Sequence, residues 1–296
     1  MNRLEFIKKA SLISTLPFIS STHSLSNFPK YKIGLQLFSV RDAMEKDPIN
    51  TLKSLKKMGY QDFETYGYDA GRKEYYGFSP IEFRTILNDL GLTTSSGHYG
   101  LNALMESSDY KLFSYLDSCI NASLILGNKY IVYPVLNSKY HSYDGYMLLI
   151  NKLNQIGKKI EKSGLNFAYH NFGYDFNLYN GKKGLEWIIE KTNPDWVKLQ
   201  VDFYWVMRAN KITPKNLINL AKGRFKLWHI KDMDNITKDY TELGCGSIDY
   251  TKVLPSPNAS GLEYYYIEQG GNYKINSMDS AERSIDFFKK NIQKLI

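Results

Sequence analysis

From Tyr31 onward the chain alternates short runs rich in β-branched and aromatic residues with longer stretches whose apolar positions recur every three or four residues. The first run is Tyr31 to Phe38 (YKIGLQLF). Ile49, Leu52, Leu55 and Met58 follow at helical spacing, closed by Gly59. Asp62 to Tyr66 predicts a second strand. Ser79-Pro80 opens a helix with Pro in its first turn, where a missing N–H leaves no bond unmade, and Gly91 ends it. Thr93 to His98 reads as the third strand, Asp109 to Leu126 as a helix stopped by Gly127, and Tyr130 to Val135 as the fourth strand. Tyr143 to Ser163 is helical with Gly164 as its C-cap. Asn166 to Phe172 is the fifth strand, Gly184 to Thr192 a short helix and Val197 to Phe203 the sixth strand. Thr213-Pro214 opens a helix ending near Gly223. Phe225 to Asp232 and Leu262 to Gln269 are the seventh and eighth strands, and Asp279 to Leu295 is the closing helix.

Eight strands separated by helices, at steps of roughly 30 residues, predict an α/β fold closed as a single (β/α)8 TIM barrel over residues 28–296. The rival is an open doubly wound sheet. It calls for a glycine-rich phosphate turn after the first strand, and the chain has Phe38-Ser39-Val40-Arg41-Asp42 there. Residues 233–261, with Pro255, Pro257 and Gly261, read as irregular apart from a turn near Ile248 to Val253.

Residues 1–27 have the three-part layout of a signal peptide: Arg3, Lys8 and Lys9, then an apolar stretch from Ala10 to Ile19, then polar Ser20 to Asn27. The run Asn2 to Lys8 resembles a twin-arginine export signal in which Leu4 takes the place of the second arginine. The expectation is a periplasmic or otherwise exported protein. The alternative is an amphipathic N-terminal helix on a cytoplasmic one. No later segment is apolar enough for a membrane helix.

The formal net charge is +8, but the lysines are scattered and no run of five basic residues occurs. The reading is a solvated surface, with no nucleic acid partner. Cys119 and Cys245 form no CxxC pair, which argues against structural zinc or a disulfide framework; a bridge between the two stays open, as does a homo-oligomer.

Barrel enzymes carry their chemistry where strands end. The predicted ends deliver Gln36, Glu64, His98, His170, Asn171, Asp202, His229, Lys231, Asp232, Glu268 and Gln269. Strands buried on both faces should be apolar, so ionisable groups there need a partner, a metal or water. His170, Asp202, His229 and Glu268 fall on neighbouring strands five to eight. This mixed nitrogen and oxygen set suits one divalent ion of Mn, Zn, Co or Fe. The competing reading is an ion-paired rim without metal.

At these residues the chain resembles the xylose isomerase-like sugar phosphate isomerase/epimerase family. Gly34 to Arg41 (GLQLFSVR) is similar to the family's GLQLYSVR strand, and Tyr169-His170-Asn171-Phe172 to its YHNH strand. Asp202 to Trp205, with His229-Ile230-Lys231-Asp232, is similar to its DxxW and HxKD segments. Gly244 to Asp249 and Ile267-Glu268-Gln269 match its GxGxID loop and final EQ strand. Phe172 replaces the second histidine of YHNH, and Cys245 the usual glutamate of the loop. The resemblance implies a metal-dependent barrel that moves a proton beside the carbonyl of a keto-sugar or related polyol, with His170, Asp202, His229 and Glu268 as ligands. Glu268 is the expected base, Lys231 an acid or anchor, and Glu64 and His98 a second acid/base pair. Gln36, Tyr99, Asn171 and Trp205 are expected substrate contacts, and the 24 tyrosines are suited to line a sugar pocket.

Three other readings share the fold. A lyase would eliminate the aglycone of a 3-keto-glycoside at the same site. A non-catalytic barrel would bind a sugar without metal. An endonuclease IV-like nuclease would need three metals and many more histidines, with a histidine where Trp205 stands.

Overall fold

A computed structural model describes residues 30–296. The expected leader and His23 lie outside the described residues. Eight parallel strands close into a barrel, each paired with its neighbours in sequence and the last with the first. They are β1 (Gly34–Gln36), β2 (Asp62–Thr65), β3 (Thr93–His98), β4 (Tyr130–Tyr133), β5 (Asn166–His170), β6 (Lys198–Asp202), β7 (Phe225–Ile230) and β8 (Tyr264–Ile267). Closure depends on Gly34, where a Cβ would come within 2.3 Å of the Tyr265 carbonyl oxygen.

Helices on the outside link the strands. Several expected caps appear: Ser79 and Glu82 form a capping box on Pro80–Asp89, and Gly59 and Gly127 end their helices in the left-handed conformation; the helix Tyr143–Glu161 instead has its C-cap at Lys162, two residues before the expected Gly164. Every strand but β3 stops one or two residues short of the end its apolar run suggests, and two of them show the cause. Gln36 turns its side chain back to accept from the Phe38 amide, which starts a 3-10 turn at Leu37–Val40. Asp202 caps a helix, Phe203–Ala209, absent from the sequence reading, accepting from the Tyr204 and Trp205 amides. The crossover after β7 holds more structure than its prolines suggest: a ribbon pairing Asp232–Met233 with Tyr240–Thr241, and helical turns at Tyr250–Val253 and Pro257–Ser260.

The apolar interior is in two parts. The larger packs the helices onto the barrel. The smaller fills the barrel itself, with Tyr130, Val132, Ala168, Leu227 and Tyr266. Cys119 is buried, Cys245 is exposed, and both thiols are free. No helix among the described residues is long and apolar enough to cross a membrane.

Candidate metal centre

The inward face of the barrel changes character along its length. Side chains two apart on a strand share a face. Two residues beyond lumen-filling Ala168, Leu227 and Tyr266 stand His170, His229 and Glu268. Gln200 precedes Asp202, and Ser96 precedes His98, in the same way. The lumen therefore passes from an apolar plug, through a polar layer of Glu64, Ser96 and Gln200, to a cage of His170, Asp202, His229 and Glu268.

One donor atom from each cage residue lies within 4.8 Å of all the others. His170 Nε2 is 3.2 Å from His229 Nδ1 and 3.3 Å from Asp202 Oδ2, and His229 Nδ1 is 2.6 Å from Glu268 Oε2. Lys231 Nζ is 2.6 Å from Asp202 Oδ2 and 2.9 Å from Glu268 Oε2. These are ion-pair separations, yet neither oxygen receives a directed hydrogen bond, although both are sealed from solvent. Buried carboxylate oxygens rarely go without one.

The histidine tautomers point the same way. His170 Nδ1 lies 3.2 Å from the Pro134 carbonyl oxygen, which can only accept, so Nδ1 carries the hydrogen and Nε2 is bare. His229 Nε2 lies 2.5 Å from Glu64 Oε2, leaving Nδ1 as the inward nitrogen. Two inward nitrogens facing two carboxylate oxygens, each ring oriented from behind by an acceptor, is the chemistry of a divalent cation site. The residues fit the expected ion.

Glu64 is fully engaged. Gln36 Nε2 donates to it at 2.7 Å, Ser96 Oγ at 2.7 Å and Gln200 Nε2 at 2.9 Å, and His98 Nε2 lies 3.1 Å away. Burial pushes its carboxyl up, but the imidazoles of His98 and His229 outweigh burial and hold it well below the usual range. Burial opposes protonation of His229, yet Glu268 and Glu64 raise it to about 9. For His170 burial prevails and lowers it to about 4, so this ring is neutral near pH 7. Burial would neutralise Lys231, Asp202 and Glu268; instead the lysine is raised and both carboxyls lowered by their mutual attraction, with His229 adding to the lowering of Glu268 and His170 to that of Asp202.

Of the residues expected in the site, Glu64, His98, Lys231 and the four expected ligands come together. Three expected substrate contacts are engaged elsewhere. Gln36 is buried, with its amide spent on Glu64 and its oxygen on the Phe38 amide. Tyr99 faces away from the lumen, its hydroxyl 2.5 Å from that of Tyr75 and 2.6 Å from Ser123 Oγ. Asn171 is buried and accepts from the Asp202 amide at 3.0 Å, which fixes β5 against β6. Asp232 anchors the GxGxID loop, accepting from the amides of Met233, Gly244, Gly246 and Ile248. A Cβ at Gly246 would lie 2.2 Å from the Asp232 carboxylate, so that glycine lets the loop wrap it.

Trp205 is half-buried, and its indole Nε1 has no protein partner. It belongs to an aromatic wall: Phe172 stacks on Tyr174 with ring centroids 5.5 Å apart, and lies 5.1 Å from Trp205 and 4.9 Å from His170. Asp175 holds this segment, accepting from the Phe172 amide and the hydroxyls of Tyr146 and Tyr169; burial pushes its carboxyl up to about 7. Across the mouth, Phe38 packs edge-on to Tyr66 beneath the guanidinium of Arg41. Sequence reasoning passed over Gln200, Ser96 and Tyr240, and read Phe172 only as a departure from the YHNH strand; lumen parity with the strand-end residues was the signal for Gln200, Ser96 and Phe172.

A closed parallel barrel with this polar rim defines a class, and the chain falls within it. It belongs to the xylose isomerase-like TIM barrel family, whose pattern it matches over residues 52–292. Among solved structures it is similar to a sugar phosphate isomerase/epimerase from Parabacteroides distasonis ATCC 8503, at 24% identity and a TM-score of 0.76, over 90% of this chain and 96% of that one. It is also similar to the IOLI protein with a bound zinc atom, at 14% identity and a TM-score of 0.70, over 90% and 99% of the two chains. An L-ribulose 3-epimerase superposes with a TM-score of 0.67 at 17% identity, over 89% and 95%. No curated protein matches the chain.

Proposed function

We propose that this protein is a metal-dependent sugar isomerase or epimerase that moves a proton beside the carbonyl of a keto-sugar or related polyol. One observation carries the reading: His170, Asp202, His229 and Glu268 gather a mixed nitrogen and oxygen donor set inside the barrel rim, with two oxygens that no directed hydrogen bond satisfies. These four residues would hold the divalent ion. Bound there, Mn, Zn, Co or Fe would supply Lewis-acid polarisation of a substrate carbonyl. The sugar epimerase and the zinc-bound protein among the similar structures support the same reading by analogy of fold.

The chain's own residues divide the remaining work. Glu268 is the cage carboxylate nearest solvent, with a side chain 10% exposed, and it is held ionised by Lys231 and His229. It is the base for the α-proton. His98, 15% exposed and backed by Glu64, is the second proton carrier. Lys231 anchors a substrate oxygen. Trp205 and Phe172 stack on a sugar face. The leader expected at residues 1–27 would bring the protein to unphosphorylated sugars, which favours a free keto-sugar.

The aromatic residues on both sides of the mouth favour one second reading: a 3-keto-glycoside whose aglycone packs on the Phe38 and Tyr66 side. Removal of its α-proton at C2 would form a C1–C2 double bond as the C1–O bond to the aglycone breaks, and the departing oxygen would take a proton from the second carrier, His98, to leave as the alcohol. Proton NMR in D2O distinguishes these outcomes. Metal-loaded protein is expected to exchange the α-proton of a ketose, or to release alcohol from a 3-keto-glycoside. Exchange with neither class overturns the catalytic reading and favours a sugar-binding barrel.

A further inference from the structure

We propose that Lys231 is the cation that holds the cage together before a divalent ion arrives, and that the ion displaces it. The proposal rests on the metal reading above. Asp202 makes the competition unavoidable. Its Oδ1 accepts from the Tyr204 amide at 2.9 Å and faces the Trp205 amide at 3.4 Å, so Oδ2 alone is left for a cation. Lys231 Nζ is 2.6 Å from that oxygen and reaches Glu268 Oε2 as well. The ammonium therefore occupies the same two carboxylate oxygens that, with the histidine nitrogens, would face a metal. A dication and an ammonium on one carboxylate oxygen, in a pocket closed to water, repel each other with little screening. One of them leaves.

The lysine side chain is the part free to move. The histidines are held from behind by Glu64 and the Pro134 carbonyl, and Asp202 is fixed as a helix cap. The backbone of Lys231 is fixed too, because the Tyr250 hydroxyl bonds both its N–H, at 3.0 Å, and its carbonyl, at 2.5 Å. The side chain has four rotatable bonds. It also has an alternative neighbour, since Nζ lies 5.8 Å from the ring centre of half-buried Tyr240, an aromatic face that receives cations well. Metal loading thus turns Lys231 from a counter-ion of the cage into a free ammonium beside the substrate, which couples cofactor occupancy to the substrate anchor.

Two measurements test this without any assay of turnover. The first is Zn2+ affinity by chelator competition, for wild type and Lys231→Met, a side chain of similar length with no charge. The expected result is at least tenfold tighter binding by the variant. Wild type binding Zn2+ as tightly as the variant, or more tightly, overturns the proposal and leaves the metal reading standing. No Zn2+ binding by either protein overturns both. The second measurement uses wild type alone and does not depend on the variant folding: acetic anhydride labelling of Lys231, read by peptide mass spectrometry with and without Zn2+. Labelling is expected to rise several-fold when Zn2+ is added; labelling that stays level or falls overturns the displacement.

Discussion

The two nitrogens of His229 face two neighbourhoods with nearly the same composition and opposite chemistry. Nε2 faces Glu64 and His98; Nδ1 faces His170, Asp202 and Glu268. Either group, judged by residue type and proximity, qualifies as a place for a metal. They differ in hydrogen bonding. Around Glu64 the neutral donors Gln36, Ser96 and Gln200 saturate the carboxylate before any ion is considered. Around Nδ1 the facing oxygens of Asp202 and Glu268 meet the ammonium of Lys231 and the cage imidazoles at ion-pair distance, yet accept no directed hydrogen bond. A cluster of histidine and carboxylate is a ligand set when its lone pairs are left over, and a supporting shell when they are spent.

The sharpest way to break this comparison is to neutralise one carboxylate on each side. Asp202→Asn keeps the Oδ1 that caps Phe203–Ala209, so the fold stands, but it removes a cage charge. Bound metal should fall from about one ion per chain to none, with stability down by about 3–5 kcal/mol in the metal-free protein because Lys231 loses a buried partner. Metal analysis and thermal unfolding read the two effects. Glu64→Gln should leave metal bound at saturation and weaken it by roughly 10- to 100-fold, the usual effect of a residue that orients a ligand from behind. A Glu64→Gln protein as empty as Asp202→Asn would place Glu64 among the ligands instead.

Acidity tests the Nδ1 side alone. His229, raised to about 9, keeps its proton at neutral pH in the metal-free protein and must release it to bind an ion. Metal affinity should therefore drop about tenfold for each unit of acidification between roughly pH 8 and 5. His170, lowered to about 4, adds nothing in that window. A flat profile in chelator titrations would mean that no histidine proton is displaced. The smallest effect belongs to the wall beside the cage. Phe172→Ala should raise KM several-fold for any sugar turned over, consistent with about 1 kcal/mol of lost stacking, and leave metal affinity unchanged. A change in metal affinity instead would make Phe172 a support for His170, whose ring it touches.

The strand and helix rhythm was legible because it rests on local signals: apolar periodicity, a Ser-Pro or Thr-Pro start, a glycine stop. Its edges were not, because Gln36 and Asp202 end their strands by bonding to backbone amides ahead of them, and an apolar run does not reveal that choice. The four cage residues stood out as ionisable groups in segments that should be apolar. The surrounding roles were harder to read. Tyr99 and Asn171 directly follow His98 and His170, and the alternation of a strand turns such neighbours to the opposite face. Gln200 carries the lumen parity of Asp202 but looks like an ordinary polar residue until the barrel closes and brings it to Glu64, 136 positions away in sequence. Long-range closure also hid the divided environment of His229.

The most direct test of the central claim is the metal content of the purified protein beside His229→Ala and Glu268→Gln. The account predicts about one Mn, Zn, Co or Fe per wild-type chain and none in either variant. A wild type that stays empty after incubation with each of these ions would contradict it, and would leave the cage as an ion-paired rim closed by Lys231.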